Sequence, residues 1–164
     1  MLSGEIGTAM EIGSISWHRE ASNTFTDADC EQFTLHLGYA VADTLSTDSF
    51  DGNYIPGSKT LVFSTPLLTL DMDDEWSQIV LDEPFFYNGE GNLIIDIQWD
   101  NGTEDNTYYN WNWIAGENRC ISIHGSSGIL SDNLVPHMIF SGSLALENST
   151  FGSIKVELGR QDNQ

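Results

Sequence analysis

Residues 33–39 read Phe33-Thr34-Leu35-His36-Leu37-Gly38-Tyr39, so large apolar residues alternate with polar or small ones. Successive side chains of a β-strand point to opposite faces of the sheet, and a period of two therefore collects the apolar side chains on one face. The other face then meets water. The stretch predicts a strand that covers a core on one side only, which is typical of antiparallel sheets.

The same alternation recurs along most of the chain. Further strands are predicted at residues 14–18, 60–64, 75–81, 93–99, 109–113, 119–124, 137–141 and 151–159. Turn clusters rich in Gly, Asn, Asp and Pro separate them. About nine short strands with this spacing predict an all-β fold, a single antiparallel, jelly-roll-like β-sandwich. Residues 40–50, rich in Ser, Thr and Asp, suit a plain turn as well as a single helical turn.

The chain of 164 residues has the length of one domain. We expect the sandwich over residues 1–140, followed over 141–164 by a connector and an extra C-terminal strand. This strand places its apolar residues in alternation, and we expect it to be exchanged with a neighbouring subunit. Its apolar residues are Phe151, Ile154, Val156 and Leu158.

The charge balance is extreme, with 25 Asp and Glu against 5 Lys and Arg and a formal net charge of −20. Nucleic acid is excluded as a partner, because phosphate binding needs clustered Lys and Arg. Membrane insertion is not expected either, because no stretch approaches the ~18 apolar residues of a spanning segment. Three explanations of the acidity stay open: a soluble, self-repelling surface, adaptation to salty water, and Ca²⁺ binding.

Two acidic turns are the candidate Ca²⁺ sites, since hard cations prefer oxygen ligands from flexible loops. Neither turn has the spacing of an EF-hand, and a solvated acidic turn is the alternative. No cofactor is required by the sequence, and Ca²⁺ is the ion that these acidic turns suggest. The candidate ligands are Asp71, Asp73, Asp74, Asp100 and Asp105.

Cys30 and Cys120 lie far apart in the sequence. Outside the cell they would suit a single disulfide, and two separate buried thiols are the alternative.

Tyr109, Trp111 and Trp113 share one face of a predicted strand. Turned inward, they belong to the core. Turned outward, they form a flat aromatic surface that suits stacking against sugar rings or contact with another subunit.

No residue pattern predicts catalysis. His124 and the adjacent Ser126 and Ser127 lack the strand–turn–helix context of an activated serine, and carboxylate pairs are uninformative in so acidic a chain. The four histidines show no metal-binding spacing. Solvated surface histidines are one explanation of them, and a cross-strand pair that binds a transition metal is the other. We therefore expect the protein not to be an enzyme.

Five sequence segments together carry a family resemblance. They are Glu5-Ile6-Gly7-Thr8, Ile15-Ser16-Trp17, Phe33-Thr34-Leu35-His36-Leu37-Gly38, Leu81-Asp82-Glu83-Pro84-Phe85-Phe86-Tyr87-Asn88-Gly89 and Asn92-Leu93-Ile94-Ile95-Asp96. Over residues 5–140 the chain resembles β-sandwich modules of large secreted surface proteins of Bacteroidetes-type bacteria, which often stand beside a sorting domain. The resemblance implies an accessory role in adhesion, carbohydrate binding or structure, and no catalytic residues.

The sequence segment around Pro84 also has a physical interpretation. Pro84 suits a strand end or a sheet edge because it has no amide donor. Asn88-Gly89 suits a tight turn with positive φ, after which residues 93–99 are expected to return as the hairpin partner of the preceding strand.

Together these features predict an extracellular or cell-surface subunit, structural or adhesive, that assembles into a filament or surface layer by strand addition. Its partners would be copies of itself or other surface-protein modules. The alternative is a carbohydrate-binding module that uses the aromatic strip on a polysaccharide.

Overall fold

The computed structural model describes residues 1–18, 27–71, 75–100, 112–122 and 130–144, and the structural statements below concern these residues. They form one four-residue helix, one short 3-10 helix and ten strands. The elements are α1 (Ser3–Ile6), β1 (Met10–His18), β2 (Asp27–Tyr39), the 3-10 helix (Asp51–Asn53), β3 (Thr60–Asp71), β4 (Trp76–Tyr87), β5 (Leu93–Asp100), β6 (Asn112–Ile114), β7 (Cys120–Ser122), β8 (Leu130–Asp132), β9 (Leu134–Pro136) and β10 (Met138–Leu144).

Two antiparallel three-stranded sheets pack against each other and form a β-sandwich, as the sequence predicts. Sheet 1 has the strand order β10-β1-β4, and sheet 2 has the order β3-β2-β5. Two further antiparallel pairs, β6 with β9 and β7 with β8, complete the described strands. The expected all-β class is confirmed.

The core lies between the two sheets and follows the alternation of the central strands. Leu35 and Leu37 of β2 are fully buried, and they meet Ile12 and Ile15 of β1, which are also fully buried. Burying one such side chain contributes roughly 1.5–3 kcal/mol. The remaining buried members of the core are Trp17, Cys30, Phe33, Val62, Ile79, Leu81, Phe85, Tyr87 and Leu93.

The hairpin expected around residues 88–92 is wrong. Strand β4 pairs with β1, whereas β5 pairs with β2, so the loop carries the chain from one sheet to the other. Its turn chemistry is nevertheless as predicted: Gly89 has φ +85°, and a Cβ there would come within 2.8 Å of the Ala9 amide nitrogen. Tyr87 and Leu93, on either side of the loop, are both buried in the core.

Pro84 lies on an edge strand, as its missing amide donor predicts, and the structure adds that it lies in a bulge of that strand. Ile12 pairs with Phe85 and Ser14 pairs with Val80, so residues 81–84 of β4 lie opposite Gly13 alone. A proline at this point removes no hydrogen bond from the ladder.

Residues 41–50 contain no helix and form a bent loop. The buried Asn53 side chain organises this loop through its amide group. It donates to the carbonyl oxygens of Ser46 and Ser49, at 3.0 and 2.8 Å, and accepts from the Ser46 amide at 2.7 Å. Of the two alternatives left open by the sequence, the non-helical turn is therefore the one observed, and side-chain bonds to the main chain hold it.

Candidate functional site

Strand β10 forms one edge of sheet 1. Its seven residues pair with β1 from Met138 opposite Trp17 to Leu144 opposite Met10. On its other side, none of the strands within the described residues pairs with it. The backbone groups of this side are therefore available for a further strand.

The composition of β10 distinguishes it from the other edge strands of sheets 1 and 2. Natural proteins protect exposed edges with charged residues, prolines and bulges. Edge β3 carries Pro66 and Asp71, and edge β5 carries Asp96 and Asp100. Edge β4 carries Asp82, Glu83 and Pro84. Strand β10 reads MIFSGSL and contains neither a charge nor a proline, so among the four outer strands of sheets 1 and 2 it alone lacks this protection.

The core-facing side of β10 is incompletely covered. Met138 and Phe140 pack against the core but remain partly exposed, and Leu144 is 65% exposed. The remaining position in this row is Gly142. A Cβ at this position would collide with the Glu11 carbonyl oxygen at the bulge of β1, so the position requires glycine. Among the described strands, sheet 1 therefore ends at β10 with an apolar row that a further strand would cover.

A cleft of about 330 Å³ opens beside the start of β10. Its lining residues come from the N-terminal segment, from β4 and from the β9–β10 connection. They are Met1, Glu5, Trp76, Pro136, His137 and Met138.

The N-terminal wall of this cleft is held by specific bonds. Arg119 donates to both carboxylate oxygens of Glu5, at 2.8 and 2.5 Å. The same carboxylate accepts the Leu2 amide at 2.8 Å. The Arg119 hydrogen bond is the main reason why the pKa of Glu5 lies below its ordinary value. Met1 exchanges two backbone hydrogen bonds with Leu93, at 2.8 and 2.9 Å.

Three rings stand in a row across sheet 1 at the same end. The His18 amide donates to the His137 carbonyl oxygen at 3.1 Å, and His18 is opposite Trp76 on β4. The His18 ring centroid lies 4.6 Å from that of Trp76 and 6.1 Å from that of His137. The His18 Nε2 atom lies 3.0 Å from Oε1 of Glu75. The expectation that His18 is a solvated histidine is wrong, since its side chain is only 19% exposed.

A polar cluster covers the outer face of sheet 2. Asp96, which is 8% exposed, lies 2.9 Å from the Lys59 ammonium and accepts a hydrogen bond from the Tyr54 hydroxyl at 3.3 Å. Lys59 also contacts the exposed Asp51 at 2.9 Å. Burial and then the Asp96 carboxylate raise the pKa of Tyr54. Every charge in this cluster has a partner, so its role is to hold the 40–59 segment onto the sheet.

The residues predicted to bind Ca²⁺ are only partly within the described part of the chain. Asp71 ends β3 opposite Asp27, and the exposed Asp100 ends β5 opposite Glu31, so both are neighbours of β2. Asp73, Asp74 and Asp105 lie outside the described residues. Within the described ranges, no three His, Cys, Asp or Glu side chains are grouped to hold a metal ion. The Ca²⁺ site stays a prediction.

The aromatic strip and the assembly strand also fall largely outside the described residues. Trp113 lies in β6 with its backbone opposite Val135, whereas Tyr109 and Trp111 lie outside. The whole C-terminal strand lies outside as well, namely Phe151, Ile154, Val156 and Leu158. Carbohydrate binding by the strip therefore stays a prediction.

The predicted disulfide is not present: Cys30 and Cys120, both described, are not joined. Cys30 lies on β2 opposite Leu68 and packs within the core, and Cys120 lies on the separate strand β7. Burial, and then the neighbouring Asp29, raise the pKa of the Cys30 thiol. The alternative of a buried thiol that acts as a small apolar residue holds for Cys30.

Comparisons with protein-family models, with curated proteins and with solved structures find no match. None of the helices within the described ranges is long and apolar enough to cross a membrane. The function is therefore argued from the geometry of the edge strand and of the adjoining cleft.

Proposed function

We propose that this protein is an extracellular structural or adhesive subunit that assembles with copies of itself by strand addition at β10. The uncharged, unprotected edge of β10 is the observation that carries this proposal. Edge strands of this kind act as templates for a further strand, whose main-chain hydrogen bonds supply affinity and whose alternating side chains supply specificity.

The C-terminal segment has the residue pattern that this edge requires. Ile154, Val156 and Leu158 alternate with polar residues, which would place all three on one face of a strand. On β10 the apolar residues have the same spacing of two, interrupted only by Gly142: they are Met138, Phe140 and Leu144. The three apolar residues of the C-terminal segment would cover this row. Cross-strand apolar pairs of this kind contribute roughly 0.2–1 kcal/mol each.

The net charge supports an edge interface over other contacts between copies. A chain with a formal net charge of −20 repels its copies, so association favours a surface without carboxylates. Strand β10 meets this condition. In bacterial surface proteins of the kind that this chain resembles, such an interface would link modules into a filament or layer.

A lysine on the edge tests the proposal. Ser143 is exposed and lies opposite Glu11, so Ser143→Lys gains an ion-pair partner within the monomer while adding a charge to the edge. We expect it to abolish oligomers in light scattering and filaments in electron micrographs, with an unchanged melting temperature of the sandwich. Asn133→Lys, at an exposed position outside the strands, adds the same charge and should leave assembly intact. Normal assembly of the Ser143→Lys protein would reject the β10 interface.

A further inference from the structure

We propose that His18, His137 and Glu75 bind a divalent transition-metal ion, Zn²⁺, at the end of sheet 1. The site goes beyond strand addition and uses residues on three different segments of the chain. Two imidazoles and a carboxylate are a ligand set that suits zinc and its neighbours in the transition series. Imidazole nitrogen is not a ligand for Ca²⁺, so this site is chemically distinct from the acidic turns.

Two of the three ligand groups already lie at a suitable separation. The His18 Nε2 atom and Glu75 Oε1 are 3.0 Å apart. Two ligands bonded to one tetrahedral Zn²⁺ at about 2.0–2.2 Å are separated by about 3.3 Å. Since the Glu75 side chain is 75% exposed, a small movement of the carboxylate brings the pair to this spacing.

The third ligand group, His137, lies in the connection between β9 and β10, next to His18. The ring centroids of His18 and His137 are 6.1 Å apart, and the ring planes differ by 28°. Imidazoles that share one Zn²⁺ through a ring nitrogen hold their centroids about 5–6 Å apart. The described side chains do not yet form a closed three-ligand group, so binding requires a rotation of the exposed His137. The backbone hydrogen bond between the two residues keeps them in register during this rotation.

The surroundings of the row favour a cation. Trp76 packs against the His18 ring and limits its rotation. The formal net charge of −20 raises the local concentration of cations. A metal ion bound here would tie the start of β10 to β1, beside the open edge.

Calorimetry of the full chain with Zn²⁺ alone tests the site. We expect one ion per chain and a higher melting temperature in its presence, because a ligand specific for the native state stabilises it. His137→Asn should lower the affinity at least about tenfold, a loss typical of a removed zinc ligand or its support, and Glu75→Gln should lower it as well. The exposed position of His137 makes this variant usable even if His18→Asn does not fold.

The other histidines of the chain provide matched controls. His36 belongs to sheet 2, and His124 lies outside the described residues. His36→Asn and His124→Asn should bind Zn²⁺ as the parent chain does, and Ca²⁺ should not compete. Absence of Zn²⁺ binding, or binding that His137→Asn leaves unchanged, would overturn the proposal. Oligomeric state, measured with and without Zn²⁺, is a separate readout, so failure of the metal site and failure of strand addition are distinguishable.

Discussion

The Asp82 carboxylate on β4 accepts a hydrogen bond of 3.1 Å from the Ser64 amide on β3. This bond joins the edge strands of the two sheets and closes one side of the sandwich. The opposite side is formed by β10 and β5, and there the outer edge of β10 pairs with none of the strands that the structure describes. The two sides of the sandwich thus differ in how their edges are satisfied, and the proposed assembly surface is on the β10 side.

Deletion of residues 149–164 should abolish assembly while leaving the sandwich folded. The segment that would add to a neighbour's β10 is then missing, whereas every described contact of the core lies outside it. The measurement is light scattering together with the circular dichroism and melting temperature of the truncated chain. Addition of a peptide covering 149–164 should return a one-to-one complex.

The same segment could instead pair with β10 of its own chain. In that arrangement the full-length protein stays a monomer at all concentrations, and the truncated chain alone exposes the edge. Monomers in the parent protein combined with self-association of the truncated chain would therefore contradict exchange between subunits.

Leu35→Ala should lower the free energy of unfolding by about 2–5 kcal/mol, because it removes a fully buried side chain and leaves a cavity. Leu61→Ala makes the same chemical change at a position that is 48% exposed, and its effect should be much smaller. Urea unfolding of both variants measures the difference. Equal losses would contradict the assignment of β2 as the centre of the core.

Lys59→Met should destabilise the fold, because it leaves the Asp96 carboxylate buried without its cation. We expect a loss of about 1–3 kcal/mol, since Lys59 keeps 27% of its side chain in water. Asp51→Asn removes only the exposed partner of the same lysine and should have a much smaller effect. In the double variant Lys59→Met, Asp96→Asn, stability should return in part, and urea unfolding of the three proteins tests this order.

Stability should fall as the pH is lowered from 7.5 to 5.5, in part because of His36. Burial, and then the charge of Lys59, lower the pKa of His36 in the folded chain. As the pH falls, His36 is therefore protonated in the unfolded chain first, near pH 6.5. Protonation of His36 favours unfolding for this reason. The melting temperature of His36→Asn should decline less steeply over this interval than that of the parent. Parallel curves would show that His36 does not contribute.

Some features of the β10 edge and of the cleft can be predicted from the sequence, and others cannot. The outward position of His18 follows from alternation with Ile15 and Trp17, but its ring contacts do not. Those depend on pairing with Trp76 and His137, which are remote in the sequence. The absence of charge on residues 138–144 is readable in the sequence. That these residues form an edge follows only from the strand order.

By itself the sequence determined the all-β class, the core-facing sides of β1, β2 and β5, the place of Pro84 on an edge strand and the positive φ of Gly89. These properties are local, because the pleat and the backbone freedom of a residue depend on its nearest neighbours. The tertiary structure alone decided that β4 pairs with β1 and β5 with β2, and that β10 is left at an edge. Alternation marks an apolar face on every strand equally, and several pairings would bury those faces. The choice among them is made by the packing of all strands around one core.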